Sequence, residues 1–232
     1  MSAVAGKLAA LLLPQDCLLC GDGAGAELLC AECQADLPRL PGEGCPRCAQ
    51  PSPGGAVCGA CLRHPPAFDA TRAAFRYGFP VDRLVQLLKF GHRLPVADFL
   101  ARSMLAAGRP AGDCLVPVPL SRRRLAERGF NQALEIARRL ARETGLPLMP
   151  RACLRSLDTP PQSALPWKAR RANVRRAFEC QADFSGRSVI LVDDVMTSGA
   201  TLDELATVVR LHGASGVTCW VAARAVRGEP AA

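Results

Sequence analysis

The sequence predicts an α/β fold, a parallel sheet flanked by helices, with a small cysteine-rich module in front of it. Three observations carry this. From residue 67 onward, apolar runs of strand length alternate with helix-period patterns, as parallel strands joined by helical crossovers do. Ahead of that point, eight of the twelve cysteines fall between Cys17 and Cys61. Residues 189–201, VILVDDVMTSGAT, pass from an apolar strand through two aspartates into a Gly-containing turn and a helix start, an arrangement that puts a ligand at the carboxyl end of a parallel sheet. The 232 residues, 49% hydrophobic, suffice for one sizeable core and a small module. The boundaries drawn are 1–64 and 67–228, with Pro65-Pro66 as linker.

The cysteine module is a duplication. Cys17, Cys20, Cys30 and Cys33 recur 28 positions later as Cys45, Cys48, Cys58 and Cys61, giving C-x2-C-x9-C-x2-C twice. A two-residue spacer lets both thiolates of a knuckle face one metal, and two knuckles close a tetrahedral structural zinc site. Two zinc ions are therefore expected. The repeat favours ligation within each copy, and a cross-braced pairing stays open. A disulfide framework is the alternative chemistry, but CxxC pairs repeated in register in a chain read as cytoplasmic favour metal. With few large apolar residues and many Gly and Pro, the module must draw its folding energy largely from zinc. Chelation is accordingly expected to unfold it and leave the rest folded. Cys114, Cys153, Cys180 and Cys219 are scattered and read as buried thiols.

No apolar stretch reaches the roughly 18 residues that cross a bilayer. The early LAALLLPQDC is too brief for a secretory segment, and Pro14, Gln15 and Asp16 do not suit a signal peptidase. It reads as a short helix or arm of a cytoplasmic protein.

Beyond the linker the elements follow in order. Ala70–Tyr77 suits a strand, and Val81, Leu84, Val85 and Leu88 mark one helix face. A second helix spans Val96 to Ala107, and Cys114 to Val118 is a short apolar strand running into PVPLSRRR. Phe130, Leu134, Ala137 and Ala141 define a helix stopped by Gly145. After the strand at Val189, Leu202, Leu205 and Val209 lie on a helix ending at Gly213, and Val217 to Ala223 is the last strand.

Two loops at strand carboxyl ends carry chemistry. In the first, a helix N-terminus presents free backbone N–H groups to an anion, and Thr197, Ser198 and Thr201 add hydroxyl donors. Asp193 and Asp194 suit a vicinal diol and a hydrated Mg²⁺. A sugar phosphate fits that combination. In the second, Pro117 and Pro119 fix a turn followed by Arg122, Arg123, Arg124 and Arg128, a pyrophosphate cradle or a solvated basic face. Residues 118–176 hold 14 basic and 4 acidic side chains, against 11 and 10 in residues 1–117 and 4 and 7 in residues 177–232. A polyanion, pyrophosphate or nucleic acid, is the partner this implies. The proline-containing, basic stretch 159–178 is either a lid over bound pyrophosphate or a surface where Trp167 stacks on a base among Lys168, Arg170, Arg171, Arg175 and Arg176. His64, His92 and His212 lie at the linker, in LKFGH and at a helix end, and none reads as catalytic.

The thirteen-residue string resembles the PRPP-binding loop of type I phosphoribosyltransferases, hhhhDDhhTxGxT. Taken in order, the CxxC repeats, LLKFGH at Lys89, PVPLSRRRLAERGFNQ, TPPQSALPWKARRANVRRAF and LVDDVMTSGAT resemble the ComF family of competence-associated proteins over nearly the whole chain. The resemblance implies a type I phosphoribosyltransferase-like sheet domain behind a double zinc ribbon. It also implies a cytoplasmic role in DNA uptake and natural transformation, acting on single-stranded DNA beside a competence helicase or other uptake proteins. By position, Asp193 and Asp194 would be the catalytic carboxylates that bind the ribose hydroxyls and Mg²⁺ waters. The 5′-phosphate would lie on Thr197, Ser198, Gly199 and Thr201, with Met196 and Ala200 in the same loop. Leu120, Ser121 and Arg122 would form the pyrophosphate loop. Arg124, Arg128, Lys168, Arg170, Arg171 and Arg175 would serve as lid or DNA contacts. Met196, bulkier than some residues at that place, should point to the packing face. Two functions stay in view: a DNA-uptake factor that binds PRPP, and a transferase moving ribose 5-phosphate from PRPP to a nucleobase or amine. An acceptor site is not legible, and the ribbons suit either DNA or protein.

Overall fold

Strands with both faces apolar must be covered on both sides, and that requirement organises the sheet domain. The computed structural model describes residues 15–40, 44–157 and 176–226. In chain order the ribbon region holds β1 (Gln15–Asp16), β2 (Gly23–Gly25), α1 (Ala31–Ala35) and α2 (Gly59–Arg63). The sheet domain follows with β3 (Ala70–Arg76), α3 (Val81–Lys89), α4 (Pro95–Ala106), β4 (Cys114–Pro117), α5 (Arg122–Arg128) and α6 (Gln132–Thr144). It ends with β5 (Cys153–Arg155), β6 (Phe178–Cys180), β7 (Ser188–Met196), α7 (Ala200–Leu211) and β8 (Gly216–Arg224).

The main sheet has the order β3-β8-β7-β4, with every pairing parallel. Strand periodicity divides its side chains between two cores. Ile190, Val192, Trp220 and Ala222 face the layer built by α3, α4 and α6, together with Leu84, Leu88, Leu100, Ile136 and Leu140. Val189, Leu191, Val217, Cys219 and Val221 face the opposite way, against Leu202, Leu205 and Val209 of α7. All four strands run the same way, so β4, β7 and β3 bring their carboxyl ends to one edge.

In the sheet domain the predicted strands and helices are all present, with two additions, while the short helix or arm read in LAALLLPQDC lies for the most part outside the described residues. Arg122–Arg128 forms a separate short helix between the β4 turn and α6, because Ser121 caps its start and Gly129, at φ +77°, closes it. The three-residue strands β5 and β6 pair antiparallel, too short to show alternation in sequence. They bring Cys153 and Cys180 into register with Sγ atoms 3.2 Å apart, so two of the four scattered cysteines are neighbours.

The two ribbons attach differently. From the first, Cys17, Leu29, Cys30 and Leu37 enter the same core as Phe75, α3 and α4, and Leu29 is fully buried there. The second has a small cluster of its own cysteines and joins the sheet domain by hydrogen bonds. Thr71 N–H and Oγ1 donate to the carbonyls of Pro46 and Arg47 at 3.2 and 2.6 Å, and Gln50 Nε2 donates to Ala225 O at 2.7 Å. The shared core changes what loss of zinc should do: releasing the first ribbon strips cover from the sheet domain itself. Leu29→Ala should therefore lower the stability of the whole chain by about 2–4 kcal/mol, seen as a shift of the main transition in a circular dichroism melt. An unshifted main transition would show that the ribbon is an independent appendage.

Candidate functional site

The strand β7 does not stop at its aspartates but runs through them to Met196. Asp194 N–H donates to Asp193 Oδ1 at 2.9 Å. The turn that follows needs glycine for two reasons. Gly199 sits at φ +83°, and a Cβ there would stand 2.7 Å from Met196 Cε. With Gly199 as cap, α7 starts without a side-chain cap from that residue, and Ser198 Oγ accepts from Ala200 N–H at 3.2 Å. A twelve-residue helix thus aims its positive end at the turn. Thr197, Ser198 and Thr201 are partly accessible, whereas Gly199 and Ala200 are buried. Met196 packs in the core beneath α7, as the sequence predicts, so its share in any ligand site is limited to backbone.

Asp194 is 3% exposed and ion-paired with Lys89 Nζ, 2.5 Å from Oδ2. Gln132 Nε2 donates to its Oδ1 at 3.3 Å, and Arg128 Nη1 donates to Gln132 Oε1 at 2.6 Å. The Arg128 guanidinium also lies over the Phe90 ring, 5.4 Å from its centroid. These contacts split the acidic pair. Burial opposes ionisation of Asp194, but the Lys89 ammonium and the hydrogen bonds outweigh it and hold the carboxyl below the usual range. Burial, then the neighbouring Asp194 charge, pushes Asp193 well above it.

Sequence reasoning had Lys89 and GFNQ in hand only as parts of the family resemblance. The structure gives each a task. Gly129 ends α5. Phe130 packs its ring 5.7 Å from His92. Asn131 Oδ1 accepts from Ala133 and Leu134 N–H, capping α6, while its Nδ2 holds Val118 O at 3.0 Å. Gln132 reaches Asp194. Lys89, the last residue of α3, was legible only as a cation following an apolar helix face.

The turn after β4 has Pro119 buried and Leu120 half-buried. Ser121 is 1% exposed, and its Oγ accepts from Arg124 N–H at 3.4 Å. Arg122 is exposed and Arg124 half-buried. Arg123 pairs with Glu127 at 3.1 Å on α5, and Arg128 joins the acidic pair's network through Gln132. Lys168, Arg170, Arg171 and Arg175, with Trp167, lie outside the described residues.

The eight ribbon cysteines gather within each repeat, Cys17-Cys20-Cys30-Cys33 and Cys45-Cys48-Cys58-Cys61, with every sulfur in a group within 4.8 Å of the others. The cross-braced pairing is thereby set aside. Cys20 and Cys30 sulfurs are 3.7 Å apart, and those of Cys48 and Cys58 are 3.6 Å apart. A tetrahedral ion about 2.3 Å from each sulfur sets edges of about 3.8 Å, so the residues fit zinc. Cys33 N–H donates to Cys30 Sγ and Cys58 N–H to Cys45 Sγ, at 3.5 and 3.3 Å. Against the cost of burial, backbone N–H groups bring the Cys17 thiol down to about 6 and that of Cys45 to about 7, while burial and the neighbouring sulfurs push Cys33, Cys48 and Cys61 up, so one thiol in each cluster leads toward thiolate. Thiolate character is what a metal ligand needs.

Residues 8–62 match the family described as Double zinc ribbon domain. The chain is 33% identical over 189 residues to DNA utilization protein YhgH of Escherichia coli (strain K12), covering 78% of this chain and 83% of that protein. It is 32% identical over 209 residues to Competence protein F of Haemophilus influenzae, covering 85% and 90%. With Competence protein ComFC of Bacillus subtilis it shares 30% identity over 191 residues, 76% of this chain and 75% of that one. Among solved structures, purine phosphoribosyltransferase from Pyrococcus horikoshii Ot3 is similar at 16% identity and a TM-score of 0.29, over 69% of this chain and 94% of that one. Among the described residues no helix is long and apolar enough to cross a membrane.

The raised proton affinity of Asp193 gives a signed prediction. In the folded chain its carboxyl holds a proton at pH values where the unfolded chain has lost it, so its ionisation costs stability as pH rises through the folded value. Asp193→Asn should raise the stability of the ligand-free chain by about 1 kcal/mol at neutral pH, and the gain should vanish as pH falls into the ordinary carboxylate range. Melting curves across pH check both parts. Metal analysis should find two zinc ions per chain, one for each sulfur cluster; a content well under one would sink the assignment.

Proposed function

The chain belongs to the ComF family, and from that membership we propose that it binds PRPP with Mg²⁺ at the carboxyl edge of β7 and serves DNA uptake by acting on single-stranded DNA in the cytoplasm. The observation that carries the first half is the acidic pair standing directly before a glycine-closed turn at the amino end of α7. Asp193, which Lys89 does not neutralise, would meet the ribose hydroxyls and the waters of the metal. Thr197, Ser198 and Thr201, with the turn's N–H groups, would hold the 5′-phosphate. Mg²⁺, when bound, would offset the charge of the pyrophosphate. Arg122 and Arg128 would add positive charge beside it.

For the second half, the relatives named for competence and DNA utilization set the biological context. Residues 118–176 supply the positive charge that a phosphate backbone needs. Structure adds stacking surfaces beyond Trp167. Phe90 is 71% exposed under Arg128, and Phe79 is 75% exposed just past the end of β3. Exposed aromatic rings on a basic protein suit unpaired bases of any sequence. A competence helicase or another uptake protein is the partner class that this role brings with it.

Titration calorimetry with Mg²⁺ and PRPP should show binding by the wild type, weakened about 100-fold in Asp193→Asn by loss of charge-assisted contacts. No binding by the wild type would defeat the ligand assignment. Release of pyrophosphate on adding a nucleobase marks a transferase, and binding without release marks PRPP as a retained ligand. Oligonucleotide affinity should fall with salt, and each of Arg122→Ala and Arg124→Ala should flatten the log–log slope by about 0.7. Salt-independent binding would contradict the basic-surface reading.

A further inference from the structure

Arg224, the last residue of β8, is 1% exposed. A guanidinium that deep is tolerated only if its N–H groups are matched, and its acceptors lie on two separate parts of the molecule. Nε donates to the carbonyl of Cys48 at 2.6 Å. Nη1 donates to the carbonyls of Met196 and Ala225 at 2.8 and 2.9 Å, and to that of Thr197. Cys48 belongs to the second sulfur cluster, whereas Met196 and Thr197 lead into the turn at the start of α7. The guanidinium is a rigid plane, so neither backbone can shift without disturbing the other.

The knuckle is itself held in register with the sheet, by Gln50 on Ala225 O and Thr71 on Arg47 O. The first ribbon makes none of these bonds: it attaches through Leu29 and Leu37, and the chain just after it, at Pro38 and Leu40, bonds to the β3 backbone away from the turn.

We propose that Arg224 is a positioning residue that joins the second zinc ribbon to the ligand loop, so that metal in the Cys45-Cys48-Cys58-Cys61 cluster governs the order of residues 197–201. With zinc bound, the Cys48 carbonyl is fixed and Arg224 holds the Thr197 peptide from behind. Without it the knuckle loses its shape, Arg224 loses an acceptor, and the turn loosens. The coupling is reciprocal: a ligand that orders the turn tightens zinc binding at the second site by the same factor. The inference rests on the reading of 197–201 as the phosphate-binding turn, but the mechanical link is independent of which anion binds.

Amide hydrogen exchange on the full zinc-loaded chain tests it. In Arg224→Lys the ammonium cannot span the Cys48 and Thr197 carbonyls together, so amides 197–201 should exchange about tenfold faster, the effect of one lost hydrogen bond, with zinc content unchanged. Cys61→Ser should loosen the same amides beyond the rest of the sheet domain, whereas Cys33→Ser in the first ribbon, which lowers the stability of the whole chain, should not single them out. Wild-type exchange at 197–201 in a folded, zinc-replete Arg224→Lys chain overturns the proposal, as does the same selective loosening by Cys33→Ser. If Arg224→Lys fails to fold, Gln50→Leu decides, because it frees the knuckle from the Ala225 carbonyl and leaves Arg224 in place: faster exchange supports the link, and unchanged exchange refutes it. PRPP titration beside these measurements separates the two ideas. Failure of the wild type to bind defeats the ligand reading alone, and equal affinity in wild type and Arg224→Lys defeats the coupling.

Discussion

Asp194 is a carboxylate almost out of reach of water at the end of a central strand, and such a group is tolerated only with a countercharge and matched hydrogen bonds. Much of the local architecture answers that need. Helix α3 ends at Lys89, which brings an ammonium onto Oδ2, and α6 begins at Gln132, which brings an amide onto Oδ1. For α6 to begin there, Asn131 must cap it, and the same side chain pins Val118 beyond β4. The left-handed glycine that ends α5 lets the chain turn in time. The geometry of the edge is thus fixed by one buried charge and the residues that make it affordable.

How much of this was written in the sequence depends on whether a feature is periodic or positional. The main strands and their helices were readable because burial on two faces imposes continuous apolar runs, and helix packing imposes the 3.6-residue stripe of Val81, Leu84, Val85 and Leu88. The sulfur clusters were readable because ligand spacing is itself the chemistry. Strands β5 and β6 were not, since three residues carry no period. Lys89 was not, since a lysine closing a helix is ordinarily a solvated end. Nor was Arg224, because nothing in an apolar strand ending in Arg tells which carbonyls will surround it.

The two ribbons show why equal motifs need not mean equal roles. Their ligand spacing is identical, and a closed thiolate site fits either. What differs lies between the ligands. The first repeat carries Leu28 and Leu29 just before its second knuckle, and Leu29 completes the helical core. At the matching position the second carries Val57, partly buried against its own cysteines. Its attachment is polar, through carbonyls of the Cys45–Gln50 turn. An apolar attachment couples a module to global stability, whereas a hydrogen-bonded one couples it to the particular backbone it touches.

The same division of labour appears inside the acidic pair. Asp193 and Asp194 are adjacent, chemically identical and in contact, yet their surroundings divide them. Asp194 meets Lys89 and Gln132 and is held ionised. At Asp193 burial and the neighbouring like charge outweigh the pull of Lys89, and it resists ionisation. A carboxyl held back from ionising is a stability cost that the fold retains, and costs of this kind belong where a ligand removes them. A cation brought in with a diol would relieve both the burial and the repulsion at Asp193. It would gain little at Asp194, whose countercharge is already in place. The site is therefore asymmetric before anything binds: one carboxylate builds the edge, and the other is left for the ligand.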